Sequence, residues 1–225
     1  MKKKLGAITI GQSPRLDVIP EMIPYLGDEV EVIEAGALDG LTYEEIQEFV
    51  PEEGDYVLVS KLKDGRSVRF AERYILPRLQ ACIDKLETEG ADVILFICTG
   101  VFPDIFKSNK PVLYPQKILH GVTPKLIGRG KLAVITPDES QIEQSKNKWS
   151  ETGADVVVVC GSPYKEEEEL LRAINELNQI SDIDIIVLDC IGYNQKMKDI
   201  VAEGTNKPVV LARTIVARVL GEILN

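Results

Sequence analysis

The chain has 225 residues, 44% apolar and 28% charged, which suits one large α/β domain or two lobes of about 100 residues each. Its 36 acidic against 26 basic residues give a net charge of −10, which argues against sequence-independent binding to nucleic acid or to an anionic membrane. No apolar run approaches the roughly 18 residues of a membrane helix. No Cys-x-x-Cys is present and His120 is the only histidine, so no metal site is expected.

Met1-Lys2-Lys3-Lys4 resembles the basic start of a signal peptide, but the apolar stretch behind it, Leu5 to Ile10, is too short for a signal core and reads as a first strand. Without a secretory signal the expected compartment is the cytoplasm, where the four cysteines stay thiols. Ser13-Pro14 then predicts a helix over 14–26, followed by a strand at 30–35. Thr42-Tyr43-Glu44-Glu45 has the form of a capping box opening a helix over 42–49. A strand at 55–60 leads into Lys63-Asp64-Gly65-Arg66, an Asp-Gly hairpin signal, and a helix over 70–89 places Cys82 on an apolar face with Leu79, Ile83 and Leu86. Strands at 92–97 and 111–114 precede a helix over 115–127. The strand at 132–136 ends in Thr136-Pro137-Asp138-Glu139, a cap and proline start for a helix over 139–150. A strand at 154–160, a helix over 163–179 opened by Ser162-Pro163, a strand at 183–189, a helix over 193–203, a strand at 208–211 and a helix over 212–224 complete the chain. Most of the strands are Val/Ile/Leu runs without polar alternation, the pattern of parallel sheets covered on both faces.

The units repeat in order. Lys4-Leu5-Gly6-Ala7-Ile8-Thr9 is similar to Lys131-Leu132-Ala133-Val134-Ile135-Thr136, and Pro111-Val112-Leu113-Tyr114 to Pro208-Val209-Val210-Leu211. Between them, two apolar runs end in Cys98-Thr99-Gly100 and Cys190-Ile191-Gly192. The expected architecture is therefore two similar Rossmann-like α/β lobes with parallel sheets, related by a pseudo-two-fold and facing an active-site cleft. Residues 1–114 with about 212–225 form the first lobe and about 115–211 the second.

In parallel sheets ligands bind beyond the carboxyl ends of strands, which is where Cys98 and Cys190 stand. Moving a proton from one face of a carbon to the other takes one acid–base group on each side, and thiols tuned toward neutral pH suit that work. Cys82 reads as a core residue, while Cys160 also ends a strand. The turn Gly11-Gln12-Ser13 and Arg15 are candidates for holding an anion, as are Thr99, Gly100, Thr136, Pro137, Ile191 and Gly192. Asp189 is expected to point to the sheet face opposite the thiol, and Arg213 is either a carboxylate contact or a surface cation. Trp149 reads as packing and Glu166 to Glu169 as a solvated helix face.

Thr9-Ile10-Gly11-Gln12-Ser13-Pro14-Arg15, Leu188-Asp189-Cys190-Ile191-Gly192-Tyr193 and the order of units between them resemble the AroM family across essentially the whole chain. That family is similar in turn to the aspartate/glutamate racemase superfamily, with its hydantoin racemases, maleate isomerases and arylmalonate decarboxylases. The resemblance implies two lobes, no cofactor, catalytic thiols at Cys98 and Cys190, and substrate binding at Gly11, Gln12 and Ser13. Thr99-Gly100 and Ile191-Gly192 depart from the Asn-Thr and Thr that follow the cysteines of the amino-acid racemases. That departure points away from aspartate and glutamate.

The expected function is a cofactor-independent racemase, epimerase or isomerase for a small anionic or carbonyl substrate. A single-thiol isomerase or decarboxylase and a non-catalytic small-anion-binding protein remain as alternatives. Neither nucleic acid nor membrane is an expected partner, and a homodimer is compatible with the reading.

Overall fold

A computed structural model describes residues 2–27 and 29–225. The chain divides into two compact units, Met1–Pro115 with Ala217–Asn225, and Gln116–Val216. Among the described residues no helix is long and apolar enough to cross a membrane.

The first unit contains β1 (Lys3–Thr9), α1 (Ile19–Leu26), β2 (Val30–Gly36), α2 (Tyr43–Gln47), β3 (Val57–Lys61), β4 (Ser67–Ala71), α3 (Leu76–Thr88), β5 (Val93–Phe96) and β6 (Val112–Leu113). Its four-stranded sheet runs β2-β1-β5-β6, all parallel. All four residues of β5 are buried, as a strand covered on both faces requires. Ile8, Phe70, Leu79, Ile83, Ile94 and Phe96 lie in one core. β3 and β4 form a separate antiparallel hairpin, closed through Asp64-Gly65 by the Leu62 N–H on Arg66 O at 2.8 Å.

The second unit follows with α4 (Pro115–Val122), β7 (Lys131–Thr136), α5 (Ile142–Ser150), β8 (Val156–Cys160), α6 (Glu167–Leu177), β9 (Ile183–Leu188), α7 (Gln195–Thr205), β10 (Val209–Leu211) and α8 (Ala212–Leu224). Its parallel sheet runs β10-β9-β7-β8. The two sheets share one topology: the first strand is central, the second flanks it on one side, and the third and fourth follow on the other. The repeat visible in the residues is thus a repeat of connectivity. In α6, Leu170, Ala173, Ile174 and Leu177 are buried at helical spacing against this sheet, while Glu167 and Glu168 lie exposed at the N-terminal end, where the helix dipole favours acids.

The last helix is divided between the units. Beyond Val216 it completes the first one: Leu220 and Leu224 are buried, Arg218 lies 4.3 Å over the Tyr25 ring, and Asn225 Nδ2 donates to Leu26 O at 2.7 Å.

Three helix starts differ from expectation. α1 begins at Ile19, not at Pro14, because residues 15–18 form a turn closed on Arg15 O and the Ser13 hydroxyl bonds Asp39 instead of capping. Ser162 Oγ accepts the Tyr164 N–H, so α6 starts only at Glu167. Before α5, one turn of 3-10 helix is capped by Asp138, and Thr136 stays in the strand. The box at Thr42 and Glu45 forms as expected, with both reciprocal bonds present.

Candidate active site

The two thiols occupy the same place in each unit. Cys98 is the second residue after β5 and Cys190 the second after β9, and both are half-buried. In each, the glycine two residues on turns its N–H back onto the sulfur. Gly100 N donates to Cys98 Sγ at 3.4 Å and Gly192 N to Cys190 Sγ at 3.3 Å. A donor aimed at sulfur favours the thiolate over the thiol. The glycine also makes room for its neighbours. A Cβ on Gly192 would lie 2.6 Å from Cζ of Tyr164, and one on Gly100 would lie 3.1 Å from Leu58 Cδ2.

Around Cys190 the second unit adds two supports. The Tyr164 hydroxyl lies 3.7 Å from the sulfur. Arg213 is fully buried and donates from Nε to Ile191 O at 3.0 Å and from Nη2 to Gly192 O at 3.1 Å. It is therefore no surface cation, and it clamps the backbone after the thiol. Asp189, as the alternation along the strand requires, turns away from Cys190. Its Oδ2 accepts from Trp149 Nε1 at 2.7 Å and pairs with Lys148 Nζ at 2.5 Å. Trp149 is fully buried, and the His120 ring packs 4.5 Å from it. Burial, with the Lys148 charge adding to it, pushes the His120 imidazole down to about 4. His120 Nδ1 accepts from the Gln116 amide at 2.9 Å.

The turn expected to grip an anion in the first unit has its donors engaged from within. Ser13 N and Oγ both donate to Asp39, at 2.8 and 2.5 Å, and Gly11 N donates to Thr9 Oγ1 at 3.1 Å. The Gln12 amide donates to Leu41 O at 3.1 Å and accepts from Lys63 N at 3.1 Å. Gly11 is packed so closely by the hairpin that a Cβ would sit 2.5 Å from Lys61 O. Arg15, 4% exposed, forms a two-pronged pair with Asp17 at 2.8 and 2.9 Å and donates to Thr9 Oγ1 at 3.2 Å. Asp39 is thus an intrinsic carboxylate held on two donors of this turn. Nothing local marks Asp39, which lies 26 residues from its partner Ser13.

Of the remaining expected residues, Thr99, Thr136, Pro137, Ile191 and Gly192 are buried and Gly100 is half-buried, each at the carboxyl end of its own sheet. Cys82 is a core residue whose thiol burial pushes up to about 11. Cys160 lines a small pocket of about 190 Å³ with Glu139, Glu169, Arg172 and Glu176. Burial, then the charges of Glu169, Asp138 and Glu139, push that thiol up to about 11, so it stays protonated at neutral pH. Among the described residues no three His, Cys, Asp or Glu side chains converge to hold a metal ion.

The family model described as AroM protein matches residues 5–224. The chain belongs to the AroM family. No curated protein matches this AroM-family chain by sequence. Solved structures do match its fold. The glutamate racemase from Aquifex pyrophilus aligns with TM-score 0.63 and 16% identity over 99% of this chain and 84% of its own. The aspartate racemase of Picrophilus torridus aligns with TM-score 0.64 and 13% identity over 99% and 94%. The maleate isomerase Iso from Pseudomonas putida S16 aligns with TM-score 0.64 and 14% identity over 99% and 92%. The AroM-family chain thus shares the two-lobed α/β fold of these solved structures.

Proposed function

We propose that this protein is a cofactor-independent racemase, epimerase or isomerase of a small carboxylate or related carbonyl compound, with Cys98 and Cys190 as its acid and base. One observation carries the reading: the same thiol, two residues past the same strand, with the same glycine N–H on its sulfur, is built twice. A duplicated core has no need of a duplicated, half-exposed and hydrogen-bonded thiol. The names of the similar structures, two racemases and an isomerase, support the same class.

In the reaction, one thiolate takes the proton from the carbon beside the carbonyl. The electron pair of that C–H bond moves onto the carbonyl oxygen as an enolate. The opposite thiol returns a proton to carbon and becomes the thiolate, so atoms and charge balance and the roles exchange. Thr99 and the turns at 136–138 and 191–192 are the proposed binding elements for the substrate's oxygens. The turn at 11–13 shapes the site through its fixed backbone, since its own donors are engaged.

The test is exchange of the α-proton in deuterated water. Candidate carboxylates and cyclic carbonyl compounds are incubated with the protein, with Cys98→Ala and with Cys190→Ala. Each substitution should slow exchange of the enantiomer whose hydrogen faces the lost thiol by about 10²- to 10⁴-fold. Exchange that survives both substitutions refutes the assignment. The additional contacts around Cys190 favour a second reading, a single-thiol isomerase or decarboxylase, which full activity of Cys98→Ala would select.

A further inference from the structure

The peptide unit between Ile191 and Gly192 is held at both ends. Its N–H donates to Cys190 Sγ at 3.3 Å, and its carbonyl oxygen accepts from Arg213 Nε at 3.0 Å. The guanidinium is a cation and is fully buried. A cation on the oxygen of an amide polarises the group and makes its N–H a stronger donor, as in any chain of hydrogen bonds.

The first sheet places a different residue at the corresponding position. Val112 pairs with Ile94 as Val209 pairs with Ile186, so the fourth strands are in matching register. Four residues beyond Val209 stands Arg213, and four beyond Val112 stands Gln116. Gln116 is neutral, and its amide is spent on His120.

We propose that the two thiols are inequivalent. Arg213 is a positioning residue that, through the Ile191–Gly192 peptide, favours the thiolate of Cys190, a contribution that Gln116 at the corresponding position does not make to Cys98. In the two-thiol reaction proposed above, on which this consequence alone rests, Cys190 is the resting base and Cys98 the resting acid. The resting protein then deprotonates only the enantiomer that offers its hydrogen to Cys190. The other enantiomer is taken by the form in which the proton has been exchanged.

Alkylation tests this without turnover. The unaltered protein is treated briefly with iodoacetamide from about pH 5 to 10, the range spanned by shifted thiols, and labelling of the Cys98 and Cys190 peptides is read by mass spectrometry. Thiolate attacks carbon and iodide leaves, so each pH midpoint reports its own thiolate. Cys190 should show the lower midpoint, by about one pH unit or more, a tenfold difference in thiolate fraction. Arg213→Met should move the Cys190 midpoint up toward that of Cys98 and leave the latter in place, and Arg213→Lys should fall between.

Equal midpoints in the unaltered protein overturn the proposal, whether or not Arg213→Met folds. So does a folded Arg213→Met with the Cys190 midpoint unmoved. A lower midpoint for Cys98 overturns it as well, whereas a lower midpoint for Cys190 with no α-exchange of any tested carboxylate or carbonyl compound would retain the thiolate assignment and reject the isomerase reading. Exchange with equal midpoints would do the reverse.

Discussion

Replacing Lys148 with methionine keeps a long, flexible side chain and removes its charge. In the second lobe that charge lies 2.5 Å from Asp189 Oδ2, with the two side chains only 8% and 2% exposed. Breaking a buried pair by removing one partner typically costs about 3–5 kcal/mol, because the other charge stays buried. The Trp149 Nε1 bond to Asp189 survives and is charge-assisted, which places the expected loss near the lower end, about 3 kcal/mol. For a chain of this size that corresponds to a fall in Tm of roughly 6–12 °C. The companion variant Lys148→Met with Asp189→Asn removes both charges and should recover most of the loss. Trp149 is the chain's only tryptophan and belongs to the same cluster, so urea denaturation followed by its fluorescence reads the lobe that carries the change. A single-variant loss below about 1 kcal/mol, or a double variant no more stable than the single one, would refute a tightly coupled buried pair.

The His120 imidazole, held at about 4 against an ordinary 6.5, contributes stability that is complete above pH 6.5 and is lost as pH falls toward 4. At pH 5 the loss should be no more than about 2 kcal/mol, and His120→Gln should flatten that slope in urea titrations at pH 7 and 5. Glu72 has the opposite sign. Burial raises its carboxyl to about 7, and its Oε1 is buried without a hydrogen-bond partner. Its penalty therefore grows as pH rises from 4.5 and is complete above 7. Glu72→Gln should stabilise the first lobe by up to about 2 kcal/mol at pH 8 and by little at pH 4.5, as thermal melts at the two pH values will read. Gly192→Ala forces the Tyr164 ring away from Cys190 and should cost about 1–3 kcal/mol, more than Gly100→Ala, whose Cβ meets a movable leucine methyl. Equal melting losses for the two glycine variants would count against that packing.

What could be read from the residues, and what could not, follows from range. Burial leaves a periodic trace, so the apolar runs of β5, β7 and β9 were legible, as was the repeat that places Cys98 and Cys190 alike. The hairpin at Asp64-Gly65 and the Thr42 box are local chemistry and were legible for that reason. Ser-Pro is ambiguous: the same pair opens a helix or closes a turn, and a carboxylate 26 residues away decided the matter at Ser13. Arg213 was illegible for a related reason. Charge in a sequence suggests a surface, and only the fold shows a guanidinium surrounded by backbone carbonyls 21 and 22 residues upstream.

Because residues 217–225 complete the unit that contains the N-terminus, order of synthesis and order of completion run opposite ways. Residues 116–216 are a contiguous stretch that carries all four strands of the second sheet. The earlier-made half must wait, with the Tyr25 and Leu26 end of its first helix uncovered, until Leu220, Leu224 and Asn225 arrive. A released chain cut back to residue 216 should therefore be protected from protease in its later half and open to it in its earlier one.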